Sequence, residues 1–400
     1  MVDERHSYYW QCPGPQKFLD DVLANFGPHG GKNVLLCRPR HAPQGLAGAL
    51  SRRWAASQTG SHYREILNLP AVGSAVEPFA ELVRGLGIRE SECEDISALM
   101  KHERAQGKLF FVDIGEDVPR WTRWKAFLAQ YSHAFRTRPV AAPAALCCSV
   151  TGRLGQWAYQ LSDVALSVIF EYGICDLADM VAYASWRLRK TDILSPLQQQ
   201  LAVAYAAHIA LWDPDTCDQL IDLGWPRIFE PSTTLKEIAA QRQWLVRCAP
   251  ASWYDGTENC FAGTDQSHSG FIIQSGQNEI HRRLLCAQLT VLLPHVEQRR
   301  PHIIKTLDRM LNVPYKDKDG RQIEEKHMLE VGHIENQLKK REHENRTRIR
   351  SDTRNEVSLL YDIRNSLSHL ELFDHIRLSE LESRFQPKEE QRIRARKPKD

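Results

Sequence analysis

Residues 33–37, Asn-Val-Leu-Leu-Cys, form a nearly continuous apolar run, the mark of a strand buried on both faces. A loop over 38–45, Arg-Pro-Arg-His-Ala-Pro-Gln-Gly, leads into residues 46–56, whose Ala, Leu and Arg content predicts a helix. The same reading gives a second strand over 64–69, a helix over 75–85, and a third strand, Lys-Leu-Phe-Phe-Val-Asp, at 108–113. A helix over 124–134 and a strand over 144–150 follow. Strands alternating with helices predict βαβ units and a parallel sheet. From 161 to 223 the pattern reads as helical: Leu166, Ile169, Phe170, Gly173, Leu177 and Met180 recur at three and four residues. Leu197, Leu201, Ala204, Tyr205, His208 and Ile209 repeat it. Ser195-Pro196 and Asp213-Pro214 each supply a cap and a first-turn proline. Residues 244–264 read as loops at a domain edge. Residues 263–270 gather Ser, His and Asp, but a catalytic triad is assembled from distant segments, so this stretch is expected to be a linker.

After 276 the apolar spacing is helical again. A helix over 278–298 carries Leu284, Leu285, Leu289, Leu292 and Val296, and a second carries Ile303, Ile304, Leu307, Met310 and Leu311. A turn at 313–320 precedes a third helix, expected over 322–350, whose second half is almost wholly polar. A fourth holds Val357, Leu360, Tyr361, Ile363 and Leu367, and the four together predict an antiparallel bundle. The expected order is an α/β domain at 1–155, a helical subdomain at 156–240, loops at 241–275, a helical bundle at 276–385 and a basic tail at 386–400.

Composition sharpens that division. All ten tryptophans lie between Trp10 and Trp253. The formal net charge of +2 hides a basic segment after residue 276 and an acidic remainder, which argues against a uniformly basic nucleic-acid coat. No apolar run of membrane-spanning length and no secretory signal is visible, so a cytoplasmic protein without a membrane partner is expected. The ten cysteines form no CxxC or zinc-type cluster, which predicts buried reduced thiols and no metal site.

Strand, loop, helix and a later apolar strand ending in Asp113 resemble the layout of the P-loop NTPases over residues 30–150. That family's loop needs glycines, a lysine and a Ser/Thr hydroxyl to hold phosphates and Mg²⁺. Here 38–46 lacks the lysine and the hydroxyl, and Gly30-Gly31-Lys32 lies before the strand rather than after it. The resemblance is to a degenerate member. It implies either a bare α/β scaffold or ATP or GTP held by Arg38, Arg40 and His41, with Asp113 in the acidic position of the third strand.

The sharpest chemical motif is Arg364-Asn-Ser-Leu-Ser-His369, at the end of the last helix. Residues 278–380, an apolar-periodic bundle ending in R-N-x-x-x-H, resemble a HEPN domain, a family of helical modules that includes metal-independent ribonucleases of toxin and antiviral-defence systems. The resemblance implies Arg364, Asn365 and His369 as catalytic residues, an RNA substrate, no catalytic cofactor, and a cleft shared between two copies. On one helix Asn365 and His369 share a face while Arg364 points elsewhere. Either the helix ends near Ser368 or two copies meet across a dyad. A histidine titrating near neutrality suits proton transfer, and arginine suits a pentavalent phosphate. The basic stretch with Lys339, Lys340, Arg346, Arg348 and Arg350 offers an RNA track, though interleaved Glu342, Glu344 and Asp352 suit a solvated helix face equally. Two functional readings follow. One is a defence or toxin endoribonuclease restrained by its N-terminal part, with partner proteins from the same system. The other is a non-enzymatic adaptor, or a nucleotide-sensing subunit, with an inert dimerising bundle.

Overall fold

The computed structural model describes residues 4–26, 32–56, 65–69, 76–137, 144–189, 194–244, 250–344, 349–374 and 376–377. The chain divides into two compact units that interleave in sequence. The first takes 1–183, 210–218 and 234–273, and the second takes 184–209, 219–233 and 274–400.

The first unit opens with α1 (Glu4–Tyr9) and α2 (Pro13–Ala24), then β1 (Asn33–Arg38), α3 (Leu46–Ala56), β2 (Glu65–Leu69), α4 (Pro78–Gly85) and α5 (Ile96–Lys101). β3 (Lys108–Gly115), α6 (Val118–Thr137), β4 (Ala145–Thr151), a 3₁₀ stretch (Gly152–Leu161) and β5 (Leu166–Phe170) complete a five-stranded sheet of order β2-β3-β4-β1-β5. Every pairing in it is parallel, with Leu35 opposite Cys148 and Val168, and Phe111 opposite Cys147. β1 is buried at every position and β4 at all but Thr151, because helices cover both faces of a parallel sheet. The α/β expectation therefore holds for this part. It is corrected at 166–170, which form an edge strand on β1 and not a helix.

α7 (Leu177–Leu188) begins in the first unit and ends in the second, and so does α9 (Pro214–Asp222). Between them α8 (Pro196–Ala210) is apolar around most of its circumference and buried along most of its length. The first unit closes with α10 (Ser232–Gln241), the hairpin β6 (Glu258–Phe261) and β7 (Thr264–Ser267), and α11 (Ser269–Ile272). Residues 263–270, expected as a linker, thus belong to a packed unit, and His268 is fully buried.

The second unit is largely helical. α12 (Gln277–Thr306) runs 30 residues through Pro294 and Pro301, where two shorter helices were expected. The hairpin β8 (Tyr315–Lys316) and β9 (Gln322–Ile323) precedes α13 (Val331–His343) and α14 (Ser351–Ser368). The expected single helix over 322–350 is corrected accordingly: its start is a strand and a 3₁₀ turn, and only 331–343 is helical. α14 buries Val357, Leu360, Ile363 and Leu367 at three- and four-residue spacing against α12 and α13. Nine cysteines among the described residues form no disulfide, seven of them buried. No described helix is long and apolar enough to cross a membrane. The basic tail lies outside the described residues.

Candidate functional site

α14 ends at Ser368, one residue before the histidine of the Arg364–His369 motif. His369 is the C-cap (φ −93°, ψ 9°), and its N–H reaches the carbonyls of Asn365 and Ser366, each at 3.1 Å. Leu370 follows with φ +60°, donating to Leu367 O at 3.1 Å, and Glu371 N–H reaches Ser366 O at 2.9 Å. These two bonds make a Schellman stop with leucine where glycine is usual, a left-handed residue costing about 1 kcal/mol. The chain beyond is fixed from α12. Buried Gln288 accepts from Phe373 N–H (2.8 Å), and donates to Phe373 O (2.8 Å) and to the Tyr205 hydroxyl (2.7 Å).

Arg364 forms an ion pair with Glu330. Glu330 is itself immobilised as the N-cap of α13: it accepts from the His333 N–H, and its own N–H donates to His333 Nδ1 at 3.2 Å. Asn365 and His369 are exposed, and neither side chain has a hydrogen-bond partner among the described residues. The motif's three side chains therefore sit at one end of α14, with Arg364 held toward α13 and His369 open to solvent.

The basic stretch is mostly neutralised within the bundle. Arg354 forks onto Glu335 at 2.6 and 3.0 Å and onto Glu342 at 3.0 and 3.1 Å. Lys339 reaches Glu335 at 3.3 Å and lies 5.5 Å from the Tyr361 ring centre. Arg350 stands 3.9 Å from Asp352, Lys340 is exposed, and Arg346 and Arg348 fall outside the described residues.

The second region of interest is a cleft of about 600 Å³ in the first unit, at the carboxyl ends of β1, β3 and β4. Connections leaving β1 and β4 run in opposite directions along the sheet, which opens a crevice between them. Arg38, Arg40, Asp113, Glu116, Thr151 and Arg242 line it. Arg38 is only 7% exposed. Its Nε meets Glu171 at 2.5 Å and its Nη2 holds Pro43 O at 2.6 Å, so it braces the loop from beneath. Burial pushes the Glu171 carboxyl up, against the pull of Arg38. Arg40 forks onto Glu116 at 2.6 and 2.7 Å. Its N–H reaches Tyr254 O at 3.0 Å, and its carbonyl lies where a Cβ on Gly256 would be, 2.2 Å away. Asp113 is exposed on the cleft floor. Pro39 and Pro43 remove two N–H groups from the loop that a phosphate cradle would use. An anion reaches Arg40 Nε and Nη2 only by displacing Glu116.

Arg242 was not visible to sequence reasoning as a member of this cleft. Its Nη1 meets Asp213 at 2.6 Å, and its guanidinium lies 5.1 Å from the Trp244 ring centre. The same Asp213 carboxylate takes His268 Nε2 at 3.0 Å and the Thr216 hydroxyl at 2.6 Å. His268 Nδ1 accepts from Gly270 N–H at 3.0 Å, which leaves the imidazole proton on Nε2, facing Asp213. Burial alone would raise the Asp213 pKa, but Arg242 and His268 overcome it and hold the carboxylate well below its usual range. The available signals were the Asp213-Pro214 cap and the Ser-His-Ser run at 267–269, each visible alone, and nothing in spacing joined them.

Among the described residues no group of three His, Cys, Asp or Glu could hold a metal ion. No family model and no curated protein matches the chain.

Proposed function

We propose that the chain is a metal-independent endoribonuclease of HEPN type, acting in antiviral defence or as a toxin, with Arg364 and His369 as its working pair. The observation that carries this reading is the end of α14, where an exposed histidine without a partner closes a helix whose arginine, five residues earlier, is held by a fixed glutamate. In the proposed reaction the ribose 2′-OH attacks the adjacent phosphorus while His369 takes or gives the proton. The 5′-oxygen leaves, and a 2′,3′-cyclic phosphate remains on the upstream strand. Arg364 donates to the non-bridging oxygens as charge builds on the pentavalent phosphate. Asn365, exposed beside it, orients either partner, and the exposed Lys340 and Arg350 extend the phosphate path. The cleft at the carboxyl end of the sheet, with Arg40 and Asp113, is the proposed control point, and its paired arginines suit ligand sensing better than hydrolysis.

The test is RNA incubated with the full chain in EDTA, comparing wild type with His369→Ala. Wild type is expected to cut and leave cyclic phosphate ends, and the variant is expected to lose at least about a hundredfold in rate. Cleavage that survives His369→Ala, or that disappears from wild type in EDTA, refutes the assignment.

A further inference from the structure

The starts of α4 and α5 and one side of α6 line a second, open cavity in the first unit, of about 700 Å³. Its apolar walls are Pro78 and Phe79 from α4, Ile96 from α5, and Ala126 and Phe127 from α6, with polar side chains between them. Arg123 stands among them. One turn earlier on α6, Arg120 places both terminal nitrogens on acceptors, pairing with buried Glu81 and reaching Asp113 O at 2.6 Å. Glu81 also accepts from Trp124 Nε1 at 3.2 Å, so α4 and α6 are already joined without Arg123. Arg123 has no such partners. Its Nε and Nη2 are enclosed and bond to nothing among the described residues, and Nη1 is the one nitrogen left open. Glu77 and Asp95 lie on the wall but do not pair with it, and Asp95 spends one carboxylate oxygen on Ala98 N–H at 2.7 Å.

Two enclosed guanidinium nitrogens without acceptors destabilise the empty protein. An anion arriving at the cavity meets the open Nη1 and offsets the guanidinium charge. We propose that the cavity binds a small amphiphilic carboxylate, with its carboxylate on Arg123 and its apolar body against Phe79, Ile96 and Phe127. Among the described residues Arg123 is the only cation of the lining, which matches a monoanion better than a polyphosphate. The volume falls in the range of small-molecule sites, about 300–1,000 Å³.

The probes are hydrocinnamate and its neutral counterpart, hydrocinnamyl alcohol, in thermal melts of the full chain and of Arg123→Met. Hydrocinnamate at about 10 mM is expected to raise the wild-type Tm, while the alcohol leaves it nearly unchanged. Arg123→Met is expected to melt above wild type without ligand, because the unpaired charge is gone. It is also expected to bind the acid at least about tenfold more weakly. Three results would each overturn the proposal: no wild-type response to the acid, an equal response to the alcohol, or an Arg123→Met protein that melts below wild type or keeps its response.

Discussion

Asp213 shows how much one carboxylate can carry. It caps α9, accepting from Asp215 N–H at 3.0 Å and from the Thr216 hydroxyl, while Arg242 and His268 complete its shell. Asp213→Asn keeps the shape but leaves Arg242, 9% exposed, without its nearest counter-charge. Loss of one partner from a buried pair costs about 3–5 kcal/mol, so denaturant unfolding of this variant should show a loss of that order. The pH dependence has a definite sign. The folded carboxylate is held below its unfolded value, so its contribution is present above the ordinary aspartate range and is lost as pH falls. Between about pH 4 and the folded value the unfolded chain binds the extra proton, and stability drops by up to about 1.4 kcal/mol per pH unit from this group. Asp213→Asn should melt with a shallower acid slope, and an unchanged slope would show that Asp213 is not held low. At this scale the sequence was informative only where one element carries the whole motif. Arg364 and His369 share α14 and could be read together, whereas Asp213, Arg242 and His268 come from three segments that only the fold brings into contact.

Among elements, the clearest dependence on a single pair is between α13 and α14. Glu335 is buried on α13, its side chain only 1% exposed, and Arg354 of α14 is its main partner. Arg354→Ala leaves that carboxylate with Lys339 alone, at 3.3 Å on an exposed stem. A loss of about 3 kcal/mol is expected in urea melts, largely restored when Glu335→Gln is added, because the second change removes the orphaned charge. Equal losses in the single and double variants would mean the pair contributes nothing beyond packing. The elements that sequence periodicity located well are those with long, one-sided patterns, such as α3 and α14, or with continuous apolar runs, such as β1, β3 and β4. It failed at β5, where Leu166, Ile169 and Phe170 fit a helical spacing as well as a strand, and five residues are too few to separate the two. It also divided α12 between 298 and 303, around Pro301, although proline removes one bond without always forcing a helix to stop.

For the molecule as a whole, the proposed chemistry raises a geometric problem that one chain does not solve. Five residues along a helix advance about 500°, leaving Arg364 and His369 roughly 140° apart. The backbone at His369 stays close to helical, so the end of α14 does little to close that angle, and the pair with Glu330 fixes Arg364 on the side facing α13. Two copies related by a dyad remove the difficulty, because the arginine of one chain can then face the histidine of the other across each of two equivalent sites. The prediction is specific. Arg364→Ala and His369→Ala proteins, each inactive alone, are mixed in equal amounts and allowed to exchange. Random pairing makes about half of the dimers mixed, and each mixed dimer keeps one complete site of two, so activity should return to about a quarter of wild type. A site built within one chain gives no recovery at all, since every chain lacks one of its two residues. Recovery should also depend on concentration, falling as the mixture is diluted below the dimer's dissociation constant. A recovery near a quarter thus assigns Arg364 and His369 to opposite halves of a shared cleft, and none confines them to one.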